Sequence, residues 1–245
     1  MMDTKLILHT LLALLLLMIP VGALYLLERK KLAKFGIAIG RMIVQLLAVC
    51  LVVWALVRVD SPWLSMAWLV VMALLSGWLV LRRCDVQGLA LLPYVAGSLF
   101  VSVFLVGMWL LAVVLPVSAF SAHWFVPVMA LLMGHSASML IRGLSTYLSA
   151  LKADKEQYEY LRGNGLSHLK ALQPFMRRAL LAVIQPTIAN LSALGLFTMP
   201  LLLVGLLIGL TPINAFALML YMTIGCVSAS VLTLALAILL TDKRL

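Results

Sequence analysis

The pentapeptide Gly134–Ser138, GHSAS, sets a histidine beside a serine and departs from the hydrolase elbow G-x-S-x-G at its fifth position, where Ser138 replaces glycine. That elbow needs a strand-turn-helix setting, and a triad needs an acid to orient its histidine. Neither is present: the segment reads as an apolar helix, and all eight Asp and Glu residues fall outside the apolar runs or at their edges. The same placement excludes an aspartyl dyad within a bilayer, and no H-E-x-x-H occurs for a zinc protease. A Walker A sequence is absent, so ATP-driven work must come from another polypeptide. Cys50, Cys84 and Cys226 share no C-x-x-C spacing and read as packing residues, and no metal-ligand set can be named. What remains is a small set of polar residues inside apolar runs: Arg41, Gln45, His135, Ser136, Ser138, Arg142, Gln185, Thr187, Asn190 and Asn214. Such residues are costly in lipid and usually face a bundle interior or a pathway. Arg41, Gln45, His135 and Asn190 are accordingly expected to face a substrate pathway near a dimer interface. Arg41 and Gln45 share a helix face at i, i+4 spacing. The alternative for this pair is that Arg41 snorkels to the headgroups while Gln45 bonds a neighbouring helix.

The elements that must carry these residues follow from composition. A chain with 65% hydrophobic and 11% charged residues falls far below the ~25% charge of soluble domains. It reads as an all-α, polytopic membrane protein with one permease domain over residues 1–245. Seven spans are predicted: Leu6–Leu27, Gly40–Val57, Leu64–Leu81, Leu89–Leu115, Phe125–Leu148, Ala179–Leu203 and Ala215–Leu240. The first runs on into ERKK without a cleavage signature, so it is expected to remain as a helix. With the N-terminus outside and the C-terminus inside, sixteen of the eighteen Lys and Arg residues lie on the cytoplasmic side and only Lys5 and Arg58 outside. This positive-inside bias accounts for the net charge of +10 without a nucleic-acid partner. Between the last two spans, Pro200, Gly205, Gly209 and Pro212 allow either a re-entrant segment or a kinked helix and a turn.

The one long hydrophilic stretch, residues 152–178, is cytoplasmic on this topology. Its first part favours helix, Gly163 and Gly165 supply a C-terminal break, and Ser167 can cap a short following helix, HLKALQ. A helix-break-helix element of this kind is a docking surface for a cytoplasmic partner.

Several stretches resemble the FetB-type permeases of ABC transporters, whose bacterial members are described as iron exporters and whose plant relatives are implicated in aluminium tolerance. RMIVQLL (41–47) resembles that family's R-x-x-x-Q-L. PVMALLMGHSAS is similar to its P-x-x-G-x-x-x-G-N-A segment, with His135 in place of the Asn. EYLRGNGLSHLKA resembles its E-x-x-L-x-x-G-A-T loop, with Ser167 in the Thr position, and PTIANLSALGLFTMP fits P-T-I-N-S-x-x-x-x-G-L-V-S-L-P at Pro186, Thr187, Ile188, Gly195 and Pro200. After Pro200 the family's P-G-M-M-T-G-Q is replaced by PLLLVGL, which marks a divergent member.

The resemblance implies the permease subunit of a transporter that exports a metal ion or small solute from the bacterial inner membrane. It works as a homodimer with a separate cytoplasmic ABC ATPase. ATP and magnesium would sit on that partner, with no cofactor in this chain and no enzymatic activity of its own. The loop residues Glu159, Leu161, Gly165 and Ser167 would couple the permease to the ATPase. A different class of function, a membrane scaffold that anchors a cytoplasmic or envelope complex without transport, fits the same composition.

Overall fold

The computed structural model describes residues 21, 22, 25, 29–84, 89–115, 120–197, 209 and 211–241. Two compact units result, Met1–Arg58 and Val59–Leu245. The described residues form seven α-helices and no strand: α1 Arg29–Val59, α2 Pro62–Arg83, α3 Leu92–Trp109, α4 Ala122–Ala153, α5 Lys155–Gly163, α6 His168–Phe197 and α7 Pro212–Thr241. Five segments are long and apolar enough to cross a membrane: Phe35–Val59, Pro62–Arg83, Leu92–Val114, Ala122–Ala153 and Pro212–Thr241. They coincide with five of the seven predicted spans. Of the other two, Leu6–Leu27 lies almost wholly outside the described residues, and Ala179–Leu203 falls on α6 only as far as Phe197. The choice between a re-entrant segment and a kinked helix at Pro200–Pro212 also lies outside them, apart from Gly209, Thr211 and Pro212.

In the second unit, α4 is the central helix: 56% of its apolar window is buried, against 33% to 44% for α2, α3 and α7. Side-chain register fixes how its neighbours run. The Asp60 carboxylate before α2 accepts a hydrogen bond from the Ala122 backbone N–H at the start of α4 (2.7 Å). At the other end of α2, the Cys84 thiol donates to the Ile141 carbonyl (3.7 Å). Hence α2 and α4 run parallel. A Cβ on Gly143 of α4 would stand 2.6 Å from Leu234 of α7 and 3.0 Å from Val183 of α6, and Gly107 of α3 faces Met129 and Leu132 of α4. These contacts make α7 parallel to α4, and α3 and α6 antiparallel.

Lipid tails are as apolar as leucine, so helices in a bilayer associate through close packing around small residues. Gly77 shows the closest backbone approach, since a Cβ there would lie 3.1 Å from the Ala96 Cα and N of α3. Most buried Ser and Thr hydroxyls on these helices, though not those of Ser65 and Ser136, bond back to carbonyls of their own helix, as in Ser102 Oγ to Ser98 O (2.7 Å), Thr187 Oγ1 to Val183 O (2.7 Å) and Thr233 Oγ1 to Ala229 O (2.7 Å). That removes the cost of a polar group without water. At its far end α3 passes into one π-turn, Leu110–Val114, closed by Leu115 N–H donating to Leu110 O (2.8 Å).

The segment after α4 differs from its sequence reading in one respect. The break after α5 is where it was predicted, yet HLKALQ is no separate short helix: α6 runs unbroken from His168 to Phe197 through Pro174 and Pro186. The reason is tertiary. Ala171, Leu172, Phe175, Ala179 and Val183 form one buried stripe at helical spacing, and packing of that stripe outweighs the lost proline hydrogen bonds.

Candidate functional site

The outward faces of α2 and α3 carry large apolar side chains, such as Trp63, Leu75 and Trp78 on α2 and Val101, Leu105 and Trp109 on α3. The central helix does the opposite. Its exposed stripe, at spacings of three and four residues, starts with His123, Pro127 and Leu131 and then carries no large apolar side chain: Gly134, Ser138, Arg142, Ser145, Ser149 and Lys152. An exposed polar stripe on the most buried helix has no use for a lipid contact. The Ser138 hydroxyl donates to His135 O (2.8 Å), and those of Ser145 and Thr146 to Arg142 O (3.0 and 2.9 Å). Their oxygens keep acceptor capacity facing outward.

Arg142 is flanked by Ile141, whose carbonyl meets Cys84 of α2, and by Gly143, packed on Val183 of α6. Its exposed side chain therefore opens between α2 and α6, level with the Arg82–Arg83 end of α2. From Arg142 the stripe leads inward past Ser138 to Gly134, about 12 Å at the helical rise. A Cβ on Gly134 would meet nothing within 4 Å. In the other direction α4 continues about 16 Å beyond Arg142 to its end. Burial pushes the Cys84 thiol up to about 11, which keeps it a protonated donor to Ile141 at neutral pH.

Each residue expected on the pathway has a definite place. His135 borders the stripe, half-buried, and its Nε2 is sealed from solvent with no hydrogen-bond partner. The neighbouring Ser136 Oγ is likewise buried and unpaired. Arg41 and Gln45 are exposed one turn apart on α1, in the first unit. Asn190 lies in α6, and its side chain is outside the described residues.

The four residues expected to couple to a partner ATPase, by contrast, are brought together in one corner. Gly165 has φ +84°, its N–H donates to Arg162 O (3.1 Å), and Leu166 N–H reaches back to Leu161 O (3.3 Å). This 6→1 and 5→2 pair is a Schellman motif with glycine at the left-handed position. Leu161 supplies the accepting carbonyl, and Glu159 pairs with Lys155 one turn earlier (3.6 Å). Ser167, exposed, precedes α6, and its carbonyl accepts the first helical bond, from Ala171 N–H (3.0 Å).

Two contacts that sequence reasoning missed hold the corner rigid. The Tyr158 hydroxyl bonds His168 Nδ1 (2.9 Å) across the break, and Arg178 of α6 pairs with Asp154 at the α4–α5 junction. Nothing in the spacing of Asp154 and Arg178, twenty-four residues apart, announces that pair. Among the described residues, no three His, Cys, Asp or Glu side chains come together as a metal site.

The profile of the Uncharacterised protein family UPF0014 matches residues 7–245. A UPF0014 membrane protein of Synechocystis sp. (strain ATCC 27184 / PCC 6803 / Kazusa) is 24% identical over 178 residues, which is 72% of this chain and 69% of that relative. No solved structure matches the chain.

Proposed function

The chain belongs to the UPF0014 family of multi-pass membrane proteins, and from that premise we propose that it is the permease subunit of an ABC transporter. In this reading it exports a small solute or metal ion across the bacterial plasma membrane, as a homodimer with two copies of a separate ATPase that supplies ATP and magnesium. The likeness of its motifs to FetB-type permeases supports the assignment. The observation that carries it is the exposed polar stripe of α4, since a bundle that only anchored other proteins would have no need of one.

The chemistry is that of a guided passage. Cargo enters from the cytoplasmic end between α2 and α6 and meets Arg142, Ser138 and the open surface at Gly134. His135 borders this surface with its Nε2 unpaired but sealed from solvent, so it would meet cargo only when the packing around it opens. Arg41, Gln45 and Asn190 are proposed as pathway residues on their polarity within apolar runs of the sequence alone. At the cytoplasmic end, Glu159, Leu161, Gly165 and Ser167 dock on the ATPase. The Schellman turn joins α5 rigidly to α6, so a push on α5 moves a membrane helix and opens or closes the path. The positive-inside bias supports the proposed orientation, since the C-terminal ends of α2 and α4, α5 and the start of α6 carry most of the unit's basic residues.

The test is to co-express the chain with a candidate ABC ATPase from the same genome, isolate the two and measure ATP-dependent export from proteoliposomes. His135→Leu is expected to fold and bind the ATPase normally yet lose transport. Reduced stability with residual transport would instead make His135 a packing residue. Absence of any bound ATPase would favour the scaffold.

A further inference from the structure

The level and surroundings of Arg142 say what kind of cargo the mouth receives. Within the second unit, Arg142 is the one charged residue on a described membrane-spanning helix that does not lie at that helix's last two positions, where Arg82, Arg83 and Lys152 are found. No carboxylate lies on any described membrane-spanning segment. Of the acids that follow along the chain, Asp154 pairs with Arg178 and Glu159 with Lys155, while Glu156 is exposed on α5, and Asp85 lies outside the described residues. Arg142 has no ion-pair partner among the described residues, and its exposed side chain stands level with Arg82 and Arg83. Arg82 lies over the Trp78 ring (5.4 Å), and neither it nor Arg83 has an ion-pair partner among the described residues. Three positive charges thus meet at one level, beside the hydroxyls of Ser138, Ser145 and Thr146.

Such an arrangement repels a bare cation and attracts a negative group, because a cleft lined by one sign of charge raises the local concentration of the opposite sign. Guanidinium forks and hydroxyl donors together match the oxygens of carboxylate or phosphate. Resting on the transport reading, we infer that the cargo taken up at this mouth is anionic, and that Arg142 is the residue that recognises it. A metal ion would pass here only inside a chelate of net negative charge. The same chemistry could be supplied by lipid headgroups, and the two sources differ in one measurable respect. A headgroup contact leaves Ser138 and Gly134 covered by lipid, whereas a solute passage leaves them open to water.

The experiment uses the full chain in lipid nanodiscs, with Cys50 and Cys84 replaced by alanine and the buried Cys226 left in place. A single cysteine is introduced at Ser138, at Gly134 or, as a lipid-facing control, at Val101. Each variant is treated with anionic methanethiosulfonate ethylsulfonate and with its cationic trimethylammonium counterpart, and rates are normalised to those for a free thiol. Ser138→Cys and Gly134→Cys are expected to react and Val101→Cys to resist, with the anionic reagent favoured by about tenfold or more. Arg142→Gln should abolish that preference without changing access, and Arg142→Lys should keep it. Equal rates, or preference for the cation, would overturn the anionic assignment and leave the passage standing. Failure of both reagents to reach Ser138 and Gly134 would overturn the passage itself and assign Arg142 to headgroups. Loss of all labelling in Arg142→Gln would make the arginine a structural support and reject it as the recognising group.

Discussion

Asp60 adopts a left-handed backbone, φ +45°, the one described non-glycine residue to do so. The conformation costs about 1–2 kcal/mol for a residue with a Cβ, although a short polar side chain lessens it. What holds it there is the bond from the Ala122 N–H, 62 residues on, which satisfies one of the free donors at the start of α4. The negative charge also sits at the positive end of that helix dipole. Asp60→Ala should therefore lower stability by about 0.5–2 kcal/mol, the usual range for a lost N-terminal cap. Asp60→Asn, which tolerates the same backbone and keeps an acceptor, should retain most of it. Thermal unfolding in detergent reads both, and an alanine variant as stable as the parent would show that the cap contributes nothing.

Among the elements, the α5–α6 corner is the one whose geometry most depends on a single residue. A Cβ on Gly165 would meet open space, so any effect of substitution comes from the backbone angle and not from a clash. Gly165→Ala should cost about 1–2 kcal/mol for the left-handed position. Gly165→Leu adds a bulky side chain on the exposed turn and should disturb the direction in which α6 leaves α5. The expected outcome is normal membrane insertion with loss of transport-coupled ATP hydrolysis. Unchanged coupling and unchanged co-purification with the ATPase would remove the corner from the docking surface. The pairs Tyr158–His168 and Arg178–Asp154 should persist in both variants if only the turn is affected.

On the scale of the whole molecule, the second unit has two chemically distinct ends. Ser61 and Ser121 lie together at one, tied by the Asp60 bond, while the basic ends of α2 and α4 and the α5–α6 corner lie at the other. On the topology expected from the sixteen-to-two charge distribution, the second end faces the cytoplasm. Single cysteines near Ser61 and Ser121 are therefore expected to react with an impermeant reagent added to intact cells, and none within 152–178 should. Labelling of the corner from outside would invert the topology and remove the ATPase from reach. It would also reverse the direction in which the stripe of α4 is entered.

The sequence by itself determined the features that are local or one-dimensional. Apolar runs of bilayer length become helices because only internally bonded backbone survives in lipid, and Gly165 marks its turn because only glycine enters the left-handed region freely. The all-helical class and the break at the α5–α6 corner follow from these alone. What tertiary structure decided is which side of each helix is covered. In so apolar a chain, periodicity hardly separates a lipid-facing side from a packed one, so the open face of α4 cannot be read from its residues. It emerges only once α2, α3, α6 and α7 have taken the remaining surface. Arg142 illustrates the difference: its polarity was visible among apolar neighbours, but its level was set by where α2 ends, at the Cys84–Ile141 contact. The Asp60–Ala122 and Asp154–Arg178 bonds were hidden for the same reason, since they join residues that only helix packing makes neighbours.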